Sequence, residues 1–125
     1  MRFRRFRLRL RKNIERVLKN GILLKHKDFP YFSIKVLENE SINIGYPRFT
    51  VIVPKKSVKK AVRRNRIKRI IREAMRELIA ESKIPNLDIV ILVREDISSK
   101  KSYEVRDEIE KIFQKYQDIS TSKQG

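Results

Sequence analysis

Apolar residues in this chain recur at two periods, and the switches between them mark its elements. Arg7-Leu8-Arg9-Leu10-Arg11 alternates with period two, so Leu8 and Leu10 can pack on a protein body while the arginines point outward. Ile14, Val17 and Leu18 then fall at i, i+3, i+4, which predicts a short helix capped by Asn13, with Glu15 in its first turn. Asn20-Gly21 ends it, glycine being the usual left-handed residue after a helix. Residues 22–28 read as a polar connector. Tyr31 to Leu37 and Arg48 to Val53 read as strands, separated by a turn-rich link. In the second strand Phe49, Val51 and Val53 share one face, and Arg48, Thr50 and Ile52 the other.

The longest helical pattern follows. Ile67, Ile70, Ile71, Ala74, Met75, Leu78 and Ile79 make one apolar stripe in a helix predicted over about residues 58–82, capped by Ser57 and stopped by Pro85. Leu87 to Val93 is a third strand, apolar enough for burial on both faces. Val105, Ile109, Ile112, Phe113 and Tyr116 define a last amphipathic helix. The order α-β-β-α-β-α predicts an α/β (α+β) two-layer sandwich. The expected division is a basic arm over 1–12, one domain over 13–116 and a disordered tail over 117–125.

Charge changes the picture. The 125 residues carry a net charge of +17, and residues 1–72 alone carry +19. Within Ala61 to Glu77, Arg66, Arg69, Arg72 and Arg76 lie at spacings of three and four, flanked by Arg63, Arg64 and Lys68. Acidic residues begin only at Glu73, so the first half of this helix cannot neutralise itself by i, i+4 pairing. Lys55, Lys56, Lys59 and Lys60 add cations at the helix N-terminus, where the dipole disfavours them. A polyanion laid on this face reverses that cost, and nucleic acid is the leading partner. Phe29, Tyr31 and Phe32 are candidates for base stacking, with core packing as the equal alternative.

Other chemistries find little support. The chain has no cysteine, which removes disulfides and thiolate metal sites and fits a reducing compartment. His26 is the only histidine, and Glu104, Asp107, Glu108 and Glu110 read as a solvated helix face. Three glycines cannot build a phosphate-binding loop. The longest apolar run is Ile89 to Val93, far short of the roughly 20 residues a spanning helix needs. The N-terminus lacks the apolar stretch of a secretory signal and the serines of a transit peptide.

The stretch PRFTVIVPKKSVKKAVRRNRIKRIIREAMRE resembles the signature of the bacterial ribonuclease P protein component, with Arg64-Asn65-Arg66 matching its Arg-Asn-Arg core. Ile67-Lys68-Arg69 and Arg72-Glu73 continue the match. Arg16-Val17 to Gly21, Asp88-Ile89-Val90 to Arg94, and Tyr103 to Phe113 resemble the family's first helix, third strand and last helix, so the likeness spans most of residues 8–116.

The resemblance implies a ribosomal protein S5 domain-2-like fold with a left-handed crossover. It implies the non-catalytic subunit of a cytoplasmic ribonucleoprotein endonuclease that removes the 5′ leader of precursor tRNA. The chemistry then belongs to a catalytic RNA that requires magnesium. It further implies a protein that by itself binds no cofactor, small-molecule substrate or membrane. Lys55, Lys56, Lys59, Lys60, Arg63, Arg64, Asn65, Arg66, Lys68, Arg69 and Arg72 would contact that RNA. Ile14, Leu18, Tyr31, Phe32 and Arg48 would line a cleft for the leader. The chain departs from the family pattern on the cleft side. Ile14 and Leu18 stand for two phenylalanines, Thr50 for a glycine, and Ile52 and Pro54 for a small polar residue and a serine. The alternative from the same charge is a ribosome-associated structural RNA-binding protein. DNA binding and a membrane-surface role follow behind it.

Overall fold

The computed structural model describes the backbone of residues 7–8, 11–38 and 45–124, with side chains through Tyr116. Leu10, most of the basic arm and residues 39–44 lie outside the described residues. The elements are α1 (Arg11–Asn20), β1 (Ile22–Leu24), β2 (Phe32–Glu38), β3 (Arg48–Ile52), α2 (Ala61–Ala80), β4 (Leu87–Val93) and α3 (Ser102–Gln124). The predicted order holds, with one addition. Residues 22–24, expected in a polar connector, form a short edge strand antiparallel to β2.

The four strands lie in the order β1-β2-β4-β3. Strand β4 pairs antiparallel with β2 and parallel with β3, so α2 is the crossover between two adjacent parallel strands. Register settles the faces. Ile34 sits opposite Ile91 and Val36 opposite Ile89, while Phe49 and Val51 flank the same two isoleucines from β3. These side chains meet Ile67, Ile71, Ala74 and Leu78 of α2 and Ile109, Ile112 and Phe113 of α3 in one core. Each large apolar side chain buried there stabilises the fold by roughly 1.5–3 kcal/mol. The other face is covered in part by α1, through a smaller cluster of Leu8, Val17 and Val90 with Ile14, Leu37 and Ile52 packed against it.

Several boundaries move for identifiable reasons. Helix α1 starts at Arg11 rather than after Asn13, and Arg11 pairs with Glu15 across its first turn at 3.1 Å. Gly21 follows that helix without a positive φ. Its role is steric: a Cβ there would lie 2.4 Å from the Val17 carbonyl oxygen and 3.0 Å from that of Val36. Helix α2 begins at Ala61, and Ser57 does not cap it. The amides of Ser57 and Val58 donate instead to the Pro54 carbonyl in a turn, and Val58 is buried. The helix ends before Pro85, with Ser82 at φ 57° and the Lys83 amide on the Leu78 carbonyl at 2.9 Å. Helix α3 continues to Gln124, so residues 117–124, expected to be disordered, are helical. No proline or glycine interrupts it before Gly125.

An aspartate sits inside the apolar run of β4. Asp88 has no exposed surface and accepts hydrogen bonds from Arg48 Nε at 2.9 Å, Arg48 Nη2 at 2.8 Å and Arg16 Nη2 at 3.0 Å. This triad ties α1, β3 and β4 together on the α1 side of the sheet.

Candidate nucleic-acid interface

The apolar stripe of α2 fixes which residues face outward. With Ile67, Ile70, Ile71, Ala74 and Met75 buried, Arg63, Asn65, Arg66, Arg69 and Arg72 are exposed, and Arg64 and Lys68 are half-buried. Lys55, Lys56, Lys59 and Lys60 are exposed in the segment leading into the helix. No acidic residue stands in the first turn and no side chain caps it. Among the described residues no carboxylate pairs with Arg66, Lys68, Arg69 or Arg72. The helix therefore presents an uncompensated cationic face, which a phosphate backbone neutralises.

Two of the predicted contact residues are committed to the protein itself. Arg64 donates through Nη1 to the Val58 carbonyl at 3.0 Å and the Lys59 carbonyl at 2.8 Å, which holds the connector against the helix. Arg63 pairs with Asp96 of the β4–α3 loop at 2.9 Å. Hydrogen bonds from Ser98, then from Arg63, hold the Asp96 carboxyl down at about 2. Between this loop and the helix lies an open groove of about 670 Å³, lined by Val62, Arg63, Arg66, Asp96, Ser98 and Ser99.

The predicted leader-cleft residues do not all meet. Ile14 and Arg48 lie on the α1 face of the sheet, and Leu18 is 38% exposed on α1. The guanidinium of Arg48 is engaged by Asp88 and is a tie within the fold. Phe32 is fully buried on the opposite face, in the core with α2 and α3, and cannot stack on a base. Strand alternation is the reason: Phe32 shares its face with Ile34 and Val36. Tyr31 turns toward α3, where its hydroxyl donates to the Glu108 carboxylate and Lys100 Nζ lies 5.0 Å from its ring centre. Burial, then Glu108, pushes the Tyr31 phenol up to about 12. Phe29 joins this side, its ring centre 4.8 Å from that of His26 and tilted by 35°.

The α1 face gathers Thr50 and Ile52, expected on the cleft side, with Ser33, Lys35 and Leu92, which sequence reasoning passed over. Ser33 and Lys35 of β2, Leu92 of β4, and Thr50 and Ile52 of β3 share it by register. Lys35 Nζ donates to the Leu18 carbonyl at 2.5 Å, and Arg94 Nε donates to Ser33 Oγ at 2.7 Å. The signal was the polar parity of YFSIKVL, in which Ser33 and Lys35 alternate with core residues. Among the described residues no acidic or histidine cluster could hold a metal ion, and no helix is long and apolar enough to cross a membrane.

This arrangement has known counterparts. The family model for ribonuclease P matches residues 3–117. A curated relative, the ribonuclease P protein component of Idiomarina loihiensis, is 43% identical over 72 residues. That stretch is 58% of this chain and 56% of the relative's own length. The RNase P protein of Thermotoga maritima superposes with a TM-score of 0.66 at 31% identity, over 82% of this chain and 90% of that one. The RNase P protein of Staphylococcus aureus, solved at 2.0 Å, superposes with a TM-score of 0.69 at 25% identity, over 87% and 93%. An α+β chain with one four-stranded sheet, three helices and an Arg-Asn-Arg sequence on its basic helix thus belongs to the ribonuclease P protein family.

Proposed function

We propose that this chain is the protein subunit of a bacterial ribonuclease P, a cytosolic ribonucleoprotein endonuclease that removes the 5′ leader of precursor tRNA. Hydrolysis belongs to the catalytic RNA and its magnesium ions. The protein contributes binding and position. The observation that carries this reading is the cationic face of α2, where among the described residues no carboxylate pairs with Arg66, Lys68, Arg69 or Arg72, in a chain of this family. Asn65 is exposed beside those cations and supplies an uncharged hydrogen-bonding group to the same RNA.

The leader is assigned to the α1 face of the sheet. Ile14, Leu18, Ile52 and Leu92 offer apolar contact there, and Lys35 and Arg94 offer charge beside it. Among the described residues this surface shows no exposed aromatic side chain of the kind that binds single strands by stacking. Charge and aliphatic contact therefore carry leader affinity.

The test is equilibrium binding of the purified protein to a bacterial ribonuclease P RNA, with ribosomal RNA and duplex DNA as competitors. Binding that weakens steeply with salt and resists both competitors supports the assignment. Equal competition by ribosomal RNA would place the chain among general structured-RNA binders and remove it.

A further inference from the structure

The N-terminal arm does not leave the body as a loose basic tail at residues 7 and 8. The Leu8 amide donates to the Phe49 carbonyl at 2.9 Å, and Arg7 forms a parallel bridge with Phe49 on the free edge of β3. The Leu8 side chain is 2% exposed and packs with Val17 and Val90 under α1. Bridged residues put their side chains on the same side of a sheet. Phe49 faces the α2 side, so Arg7 does too, while Leu8 anchors the arm on the other. Arg72 stands on α2 at that side, exposed.

Two arginines 65 positions apart in the sequence are thereby brought together. Burial of part of its side chain, then the charge of Arg7, lowers the Arg72 guanidinium from its ordinary value. Among the described residues no carboxylate pairs with either side chain. A fold that docks an arm through a buried leucine and thereby places two like charges on the same side of the sheet carries a repulsion that an anion relieves.

We propose that Arg7, held on the β3 edge by Leu8, and Arg72 of α2 form one two-arginine site for a single phosphate of the partner RNA. This extends the RNA-binding surface from the Arg-Asn-Arg helix onto the N-terminal arm, and it rests on the ribonuclease P reading above. Each guanidinium donates from a different element, so the site also fixes the angle at which the RNA crosses the β3 edge.

The experiment measures affinity of the full chain for a bacterial ribonuclease P RNA across a salt series. The variants are Arg7→Gln, Arg72→Gln, the pair together, and Leu8→Ser, which keeps the Arg7 charge but releases its anchor. The double variant should lower the slope of log affinity against log salt by about one, the signature of a single phosphate. Its loss of affinity between about 50 and about 200 mM salt should shrink by roughly threefold. Leu8→Ser should weaken binding about as far as Arg7→Gln. The unbound Arg7→Gln protein should melt at the wild-type temperature or above it, since a repulsion is removed, so its binding defect is not a folding defect. A slope lowered by about two would mean separate phosphates and overturn the proposal. An unchanged slope, or wild-type binding by a folded Leu8→Ser protein, would overturn it as well. If the wild-type protein does not bind this RNA in a salt-dependent way, the ribonuclease P assignment itself fails.

Discussion

Asp88→Asn is the substitution that most directly probes how α1 is held to the sheet. It preserves volume and removes the charge that two arginines share. An amide has one oxygen to accept with, and its NH2 group faces a guanidinium donor. At least one of the three bonds at 2.8–3.0 Å is lost, and two guanidinium charges are left side by side. Asp88 is fully buried, while the Arg48 and Arg16 side chains are 16% and 33% exposed. Stripping one partner from a fully buried pair costs about 3–5 kcal/mol, and water at Arg16 argues for the lower end, about 3 kcal/mol. For a chain of this size that is roughly a 10–15 °C fall in melting temperature. Thermal denaturation followed by circular dichroism at neutral pH reads it. Arg11→Ala is the internal control: its pair with Glu15 is 93% and 64% exposed, so its removal should change stability by under about 0.5 kcal/mol. An Asp88→Asn melt within about 2 °C of wild type would refute the claim that the triad anchors α1.

Four further outcomes are expected. Gly21→Ala forces a methyl against two backbone carbonyl oxygens and should cost about 1–3 kcal/mol or more in urea denaturation, where an open site would tolerate alanine. Arg64→Ala should lower stability by about 1 kcal/mol even without RNA, because it frees two backbone carbonyls. Arg69→Ala, exposed and unpaired with any described carboxylate, should leave the melt unchanged and reduce the salt slope of RNA binding by about one. Ultraviolet titration of the tyrosines should show one phenol ionising near 12 that disappears in Tyr31→Phe. Because the folded value is raised, the stability it contributes is complete below the ordinary value of 10.0 and lost as pH climbs toward about 12. Titration of Tyr31 at its ordinary value would contradict the Glu108 contact.

How much of this was legible in the sequence depended on length of pattern. The α2 stripe predicted every buried residue from Ile67 to Leu78, because twenty helical residues repeat the signal several times. Strand β1 was missed because three residues carry no period, and Ile22 and Leu23 remain exposed. The start of α2 was missed because Ser57 has the chemistry of a cap but is used in a turn set by Pro54. On α2, charge density marked the cationic face, but ion pairing could not be read from it. Arg48 and Arg64 count as cations in the sequence and serve as internal ties in the fold. Phe32 was the avoidable error, since strand parity already grouped it with Ile34 and Val36. The direction of Tyr31 was not legible. It precedes the strand, and turns through Phe29 aim it at α3.

One reconstitution tests whether the chain acts as a ribonucleoprotein subunit. Purified protein, a bacterial ribonuclease P RNA and a precursor tRNA are combined at low magnesium, and release of the 5′ leader is followed. Cleavage at the mature 5′ end is expected to depend on the protein at low magnesium, and that dependence to fade as magnesium is raised enough for the RNA alone to act. A folded protein that binds the RNA yet leaves its magnesium requirement unchanged would contradict that role.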